Sequence, residues 1–186
     1  MWRKPTYPAD GAILDLATLT WKKIAEAPVK GRRGDSVWTG TELVVAGGVI
    51  EKSMMNETRP LDAASYDPAK DEWTSLADLP FTGTIHRIES GLLLWGFEGG
   101  APLENREWKK LAVAPVKALF RGVRNGRLLL FGEGRSVGAI YDFKSAAWTE
   151  LPKSPLADRV DNVVHWDGES VFDWGGSAPS GKPPAF

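Results

Sequence analysis

Ala63-Ala64-Ser65-Tyr66-Asp67 and, after four residues, Glu72-Trp73-Thr74-Ser75-Leu76 decide how the rest of this chain is read. Both runs are rich in strand-forming residues, and Asp67-Pro68 between them is turn chemistry, so the stretch predicts two short antiparallel strands. The pattern recurs. Trp21, Trp73, Trp108 and Trp148 are each followed seven residues later by proline: Pro28, Pro80, Pro115 and Pro155. Three of them have a hydrophobe and an aspartate just upstream, Leu14-Asp15, Tyr66-Asp67 and Tyr141-Asp142. The spacings from tryptophan to tryptophan are 52, 35 and 40 residues, which marks a repeat architecture.

Each unit carries a second pair of strand-like runs. Ser36-Val37-Trp38-Thr39-Gly40-Thr41-Glu42-Leu43-Val44-Val45-Ala46-Gly47-Gly48 has a glycine turn between two β-rich runs and closes on a diglycine. Comparable hairpins surround Gly91, Gly126 and Gly168, and end at Gly96, Gly132 and Gly175-Gly176. Asn125-Gly126 is a favoured pair for a type I′ turn. The apolar runs are continuous rather than alternating, as in strands covered on both faces. Residues 12–27 contain no Gly or Pro, and Ile13, Leu16, Trp21 and Ile24 could mark a helical face. The register shared with the other units overrides that reading and predicts two strands.

Diglycine, Tyr-Asp and then Trp, in modules of roughly 45–50 residues, resemble the kelch repeat. Two units match in register. The first has Leu14 in place of the tyrosine, and the third, Ala101-Pro102-Leu103-Glu104-Asn105-Arg106-Glu107-Trp108, lacks the Tyr-Asp pair. The resemblance spans about residues 11–176 and implies an all-β fold, a small kelch-like β-propeller whose repeats each make one blade of four antiparallel strands. Residues 1–186 are expected to form one such domain, with 177–186 as a flexible tail. The chain begins in an outer strand pair and ends in an inner hairpin. The expectation is therefore four blades, with N- and C-terminal strands sharing the closing blade and hiding two open edges. A ring of eight blades shared by two chains is the alternative, so a monomer or a homodimer is expected.

Composition narrows the function classes. The 186 residues carry a formal net charge of -1, which supplies no broad basic face for nucleic acid. Cysteine is absent, excluding disulfides, thiolate metal sites and cysteine nucleophiles. No apolar run reaches the roughly 20 residues of a membrane-spanning helix. Met1-Trp2-Arg3-Lys4-Pro5 opens onto no long apolar core, so no signal peptide is expected and the cytoplasm is favoured. Eight of the nine tryptophans occupy recurring slots and are expected to be buried between blades.

One recurring slot stays polar. Two residues before Val37, Ile88, Val123 and Val164 stand Asp35, His86, Arg121 and Asn162, with Arg33 close by. Polar residues beside an apolar row suggest the mouth of a channel, which could hold an anionic or polyhydroxylated ligand or simply be solvated. The two histidines, His86 and His165, fall in different repeats, so no metal and no cofactor are expected. Between Gly48 and Ala63 lies a long loop whose Met54, Met55 and Arg59 could serve an interaction.

These features favour a non-enzymatic module that presents a loop-lined propeller face to a protein or a small polar ligand, with no catalytic residue assigned. The resemblance also implies an alternative: a sugar-processing enzyme of the sialic-acid mutarotase type. Arg33 and Arg121 would then clamp a carboxylate, and His86 or Asp35 would move protons.

Overall fold

The computed structural model describes residues 7–34, 36–52, 57–132 and 136–178. The chain divides into two compact units, Met1–Arg87 with Gly91–Lys110, and Leu111–Phe186 with Ile88–Ser90. Its strands are β in every case, and the blades are antiparallel meanders of the small kelch-like propeller class.

The first unit opens with β1 (Ala12–Asp15) and β2 (Thr20–Lys23), paired antiparallel with Leu14 opposite Trp21. The helix that periodicity allowed over 12–27 is absent, because Asp15 terminates the first strand: its Oδ1 accepts the N–H groups of Ala17 at 2.8 Å and Thr18 at 3.2 Å. Such an Asx turn reverses the backbone with one side chain. Next come β3 (Ser36–Trp38), β4 (Leu43–Ala46), β5 (Glu51–Lys52), β6 (Glu57–Thr58), β7 (Ala63–Asp67) and β8 (Glu72–Ser75). They form a four-stranded sheet in the order β3-β4-β7-β8, from which β5 and β6 project as a separate two-stranded insertion. The second four-stranded sheet runs β12-β11-β10-β9, from β9 (Thr84–Ile88), β10 (Gly91–Gly96), β11 (Gly99–Glu104) and β12 (Glu107–Trp108). The core packs Val44 and Ala46 of β4 and Leu92 and Leu94 of β10 with Ile85 of β9 and with Leu79 and Phe81 from the connection between β8 and β9. Burying each leucine of that kind contributes about 1.5–3 kcal/mol.

In the second unit β13 (Phe120–Arg124), β14 (Arg127–Phe131), β15 (Gly138–Asp142) and β16 (Ala147–Glu150) make a third four-stranded meander. A last hairpin, β17 (Val163–Trp166) and β18 (Val171–Trp174), sets Trp166 against Leu129 and Phe131. Asn125 and Gly126 have φ of 51° and 66°, as the expected type I′ turn requires.

The repeat spacing has local causes. Asp67 and Asp142 accept backbone N–H bonds two residues on, as Asp15 does. Two residues before each tryptophan the chain takes a left-handed conformation: Leu19, Asp71, Arg106 and Ala146 all have φ between 50° and 70°. The third unit has no Tyr-Asp because Asn105-Arg106 closes a two-residue turn, with Glu104 directly opposite Glu107. In its relatives within the chain a longer turn sits there, and that is the turn needing the aspartate.

Among the described strands, β1–β2 and β17–β18 each pair as a hairpin. One expectation needs correction. The tryptophans are not uniformly buried: Trp21 is 69% and Trp174 75% exposed, and Trp38 is exposed as well. Of the expected tail, Ser177 is held by a β-bridge to Val160, and residues 179–186 lie outside the described residues.

Candidate functional site

Consecutive arginines in the first unit have opposite fates. Arg32 turns inward with its side chain 4% exposed and pairs bidentately with Asp62, Nη1 to Oδ1 at 2.7 Å and Nη2 to Oδ2 at 2.9 Å. It also donates to the carbonyls of Gly47 and Lys30, each at 2.9 Å. Arg33 is anchored only by its backbone, bridged to Val49, and its exposed guanidinium has no hydrogen-bond or ion-pair partner among the described residues. The second unit repeats the device. Arg159 donates to the carbonyls of Ala157 at 3.1 Å and Gly175 at 2.9 Å, while Val160 bridges Ser177. Each arginine thus satisfies the carbonyl of the first glycine of a diglycine.

The second glycine serves close approach. A β-carbon on Gly48 would lie 2.7 Å from the Arg33 carbonyl oxygen, and one on Gly34 would lie 2.9 Å from the Gly48 Cα. Glycine is the residue that fits both places, and it leaves a floor of bare backbone. Above that floor opens a cleft of about 250 Å³ whose polar side chains are Arg33, Arg59 and Thr84. Arg59 reaches it from just beyond β6, steadied by an Nη2–Oε2 bond to Glu57 at 2.5 Å. Among the described residues no carboxylate lines the cleft itself, while Glu57 pairs with Arg59 and leaves Arg33 without a counter-charge. A larger depression of about 470 Å³ beside Tyr7, Glu26 and Lys30 contains none of the residues expected to be functional.

The structure therefore brings together Arg33 and Arg59, which sequence reasoning had assigned to different features. His86 lies two residues beyond Thr84 on β9, hence on the same face of that strand, and is half-buried. Arg121, in the second unit, points its Nε at the Phe131 carbonyl, 2.9 Å away. Asn162 donates through Nδ2 to Asp173 Oδ1 at 2.6 Å. Asp35, Met54 and Met55 lie outside the described residues.

Sequence reasoning missed Asp173. Its Oδ2 is buried without a hydrogen-bond partner among the described residues. The signal was present: two residues before the glycines, Val45, Leu94 and Leu130 form an apolar row that Asp173 breaks. A buried carboxylate oxygen left unpaired is costly, which marks the position as one that packing alone does not explain.

Several aspartates have carboxyls held below the usual carboxylate range. For Asp15, Asp142 and Asp167 the leading cause is a backbone N–H bond, from Thr18, Ser145 and Ser170 respectively. For Asp71 it is the Tyr66 hydroxyl, which donates to Oδ1 at 2.6 Å. Burial, and then that same carboxylate, push the Tyr66 phenol up to about 12. These groups belong to turns and blade contacts.

Comparison with known proteins gives the fold. No family model matches the chain, and no curated protein matches it in sequence. Among solved structures 92 chains match; one is YjhT, a kelch-like propeller, at 14% identity and a TM-score of 0.52, over 95% of this chain and 75% of that one.

Proposed function

We propose that this chain recognises a small anionic, polyhydroxylated ligand of the sugar-acid class in the Arg33–Arg59 cleft, and acts on it as a kelch-like sugar-processing protein of the mutarotase type. The observation that carries the reading is that the Arg33 guanidinium, without a hydrogen-bond or ion-pair partner among the described residues, shares a glycine-floored cleft with Arg59. An anion in the cleft supplies Arg33 with a counter-charge, and guanidinium matches carboxylate geometry bidentately. The Thr84 hydroxyl and the backbone groups of the glycine floor provide donors and acceptors for hydroxyls.

Mutarotation asks for little more. A base takes the anomeric hydroxyl proton, the anomeric carbon–ring oxygen bond breaks as a carbonyl forms, and an acid protonates the ring oxygen. Recyclisation on the opposite face completes the exchange. His86, on the strand face that carries Thr84, is the residue for this proton transfer.

A second reading has its own support. Among the described residues that line the cleft, none is a carboxylate or an imidazole, which favours binding without turnover. Titration with N-acetylneuraminic acid by calorimetry, with anomer exchange followed by NMR saturation transfer, separates the two. Binding with accelerated exchange, lost in His86→Ala, supports the enzyme. Binding without acceleration leaves a recognition module, and no binding at millimolar ligand overturns both. Arg33→Ala and Arg59→Ala are each expected to weaken binding about tenfold or more, the worth of one charge-assisted contact.

A further inference from the structure

A tight turn of the first unit carries a side chain that the turn does not need. Gly96 lies directly opposite Gly99 where β10 turns into β11, so Phe97 and Glu98 form the turn. Turns favour Gly, Asn, Asp, Ser or Pro, and here Gly99, with φ of 112°, supplies the positive φ. The backbone places no demand for a phenylalanine at 97. Among the described residues Phe97 is nonetheless the most exposed large apolar side chain. Its neighbour is engaged elsewhere: Glu98 Oε2 lies 3.2 Å from Lys110 Nζ, which sits 5.4 Å from the centre of the buried Phe81 ring. Lys110 thereby offsets the one negative charge of the turn, which would otherwise repel an anion nearby.

The turn adjoins the Arg33–Arg59 cleft. A β-carbon on Gly96 would lie 2.3 Å from the Thr82 carbonyl oxygen and 3.3 Å from the Gly83 Cα, and one on Gly83 would lie 2.4 Å from the Trp95 carbonyl oxygen. The end of β10 is therefore in backbone contact with the segment that leads into β9, and Gly83 and Thr84 line the cleft. One Cα step of 3.8 Å beyond Gly96 puts the Phe97 Cα within about 9 Å of the Gly83 Cα. At about 250 Å³ the cleft is smaller than the roughly 300–1,000 Å³ of sites that enclose a small molecule. A sugar ring held there by its carboxylate stands partly outside. None of the described lining residues is aromatic, so the cleft itself offers no flat apolar surface to the C–H face of such a ring.

We propose that Phe97 is a further ligand-binding residue, whose phenyl ring covers the C–H face of the sugar ring while the carboxylate rests on Arg33. The inference rests on the reading of the cleft as a sugar-acid site and extends that site across the β10–β11 turn. An aromatic side chain presents a large rigid apolar area at a cost of only two side-chain torsions, which suits it to a ligand that is polar at its edge and apolar on its face.

Titrating N-acetylneuraminic acid into the wild-type chain, Phe97→Ala and Phe97→Tyr tests this, with affinity read by calorimetry and the ligand's ring C–H resonances followed by proton NMR. A phenyl ring stacked on the sugar shifts those resonances upfield. The expected result is that upfield shift in the wild type, an affinity about tenfold weaker with no shift in Phe97→Ala, and both restored in Phe97→Tyr. Phe97 lies wholly in solvent, so the thermal midpoints of both variants should match the wild type. Equal affinity of wild type and Phe97→Ala overturns the inference and leaves the cleft reading standing. Weaker binding by Phe97→Ala without an upfield shift in the wild type also overturns it, because the substitution then acts through the turn. No binding by the wild type overturns the cleft reading and this inference together.

Discussion

Replacing Arg32 by alanine isolates the contact that holds the diglycine turn. The substitution removes a bidentate pair with Asp62 and three bonds to carbonyls, those of Lys30, Gly47 and, at 3.4 Å, Asp62, from a side chain that is almost wholly buried. Hydrogen bonds with a charged partner are each worth about 1.5–3 kcal/mol, and an orphaned buried carbonyl costs about 1–3 kcal/mol. Asp62 is 38% exposed, so its carboxylate rehydrates after the loss, and the full penalty for stranding a buried charge is not incurred. The expected cost is about 3 kcal/mol. Arg159 is an internal control: it makes the counterparts of the Lys30 and Gly47 bonds but has no carboxylate partner among the described residues, so Arg159→Ala should cost only about 1 kcal/mol. Urea unfolding of both variants, with Asp62→Asn and the Arg32→Ala/Asp62→Asn double variant, closes a cycle whose coupling should be about 1–2 kcal/mol. Equal costs for the two arginines, or a coupling near zero, would refute the reasoning.

Other outcomes follow from the same geometry. Leu19 is an exposed leucine with φ of 55°, and Leu19→Gly relieves about 1 kcal/mol of left-handed strain, read as a raised thermal midpoint. Depressed carboxyl pKa values in Asp15, Asp142 and Asp167 contribute stability that is present above about pH 4 and lost as pH falls through the folded values. Asp142→Asn should therefore flatten the acid limb of a plot of thermal midpoint against pH. The raised Tyr66 phenol has the opposite sign. Its contribution is intact below pH 10 and fades between 10 and about 12, and Tyr66→Phe should remove the late step of an ultraviolet phenol titration.

The amino-acid sequence alone was enough to declare the blade. Its turns are satisfied within a few residues: Asp15, Asp67 and Asp142 cap their own loops, Asn125-Gly126 sets a type I′ turn, and Trp148 and Tyr141 face each other across one hairpin. Such constraints repeat wherever the turn repeats, so spacing exposes them. Asp173 was legible in principle, as the polar break in an apolar row. What tertiary structure decided was the environment of residues adjacent in sequence but not in surroundings. Arg32 and Arg33 are indistinguishable on paper, yet one is enclosed by Asp62, thirty residues away, and the other shares an open cleft with Arg59. The indole bonds of Trp73, Trp108 and Trp148 likewise span 31 to 48 residues. Charge pairing and desolvation depend on which distant segments pack together, and no local pattern of residue types encodes that distance.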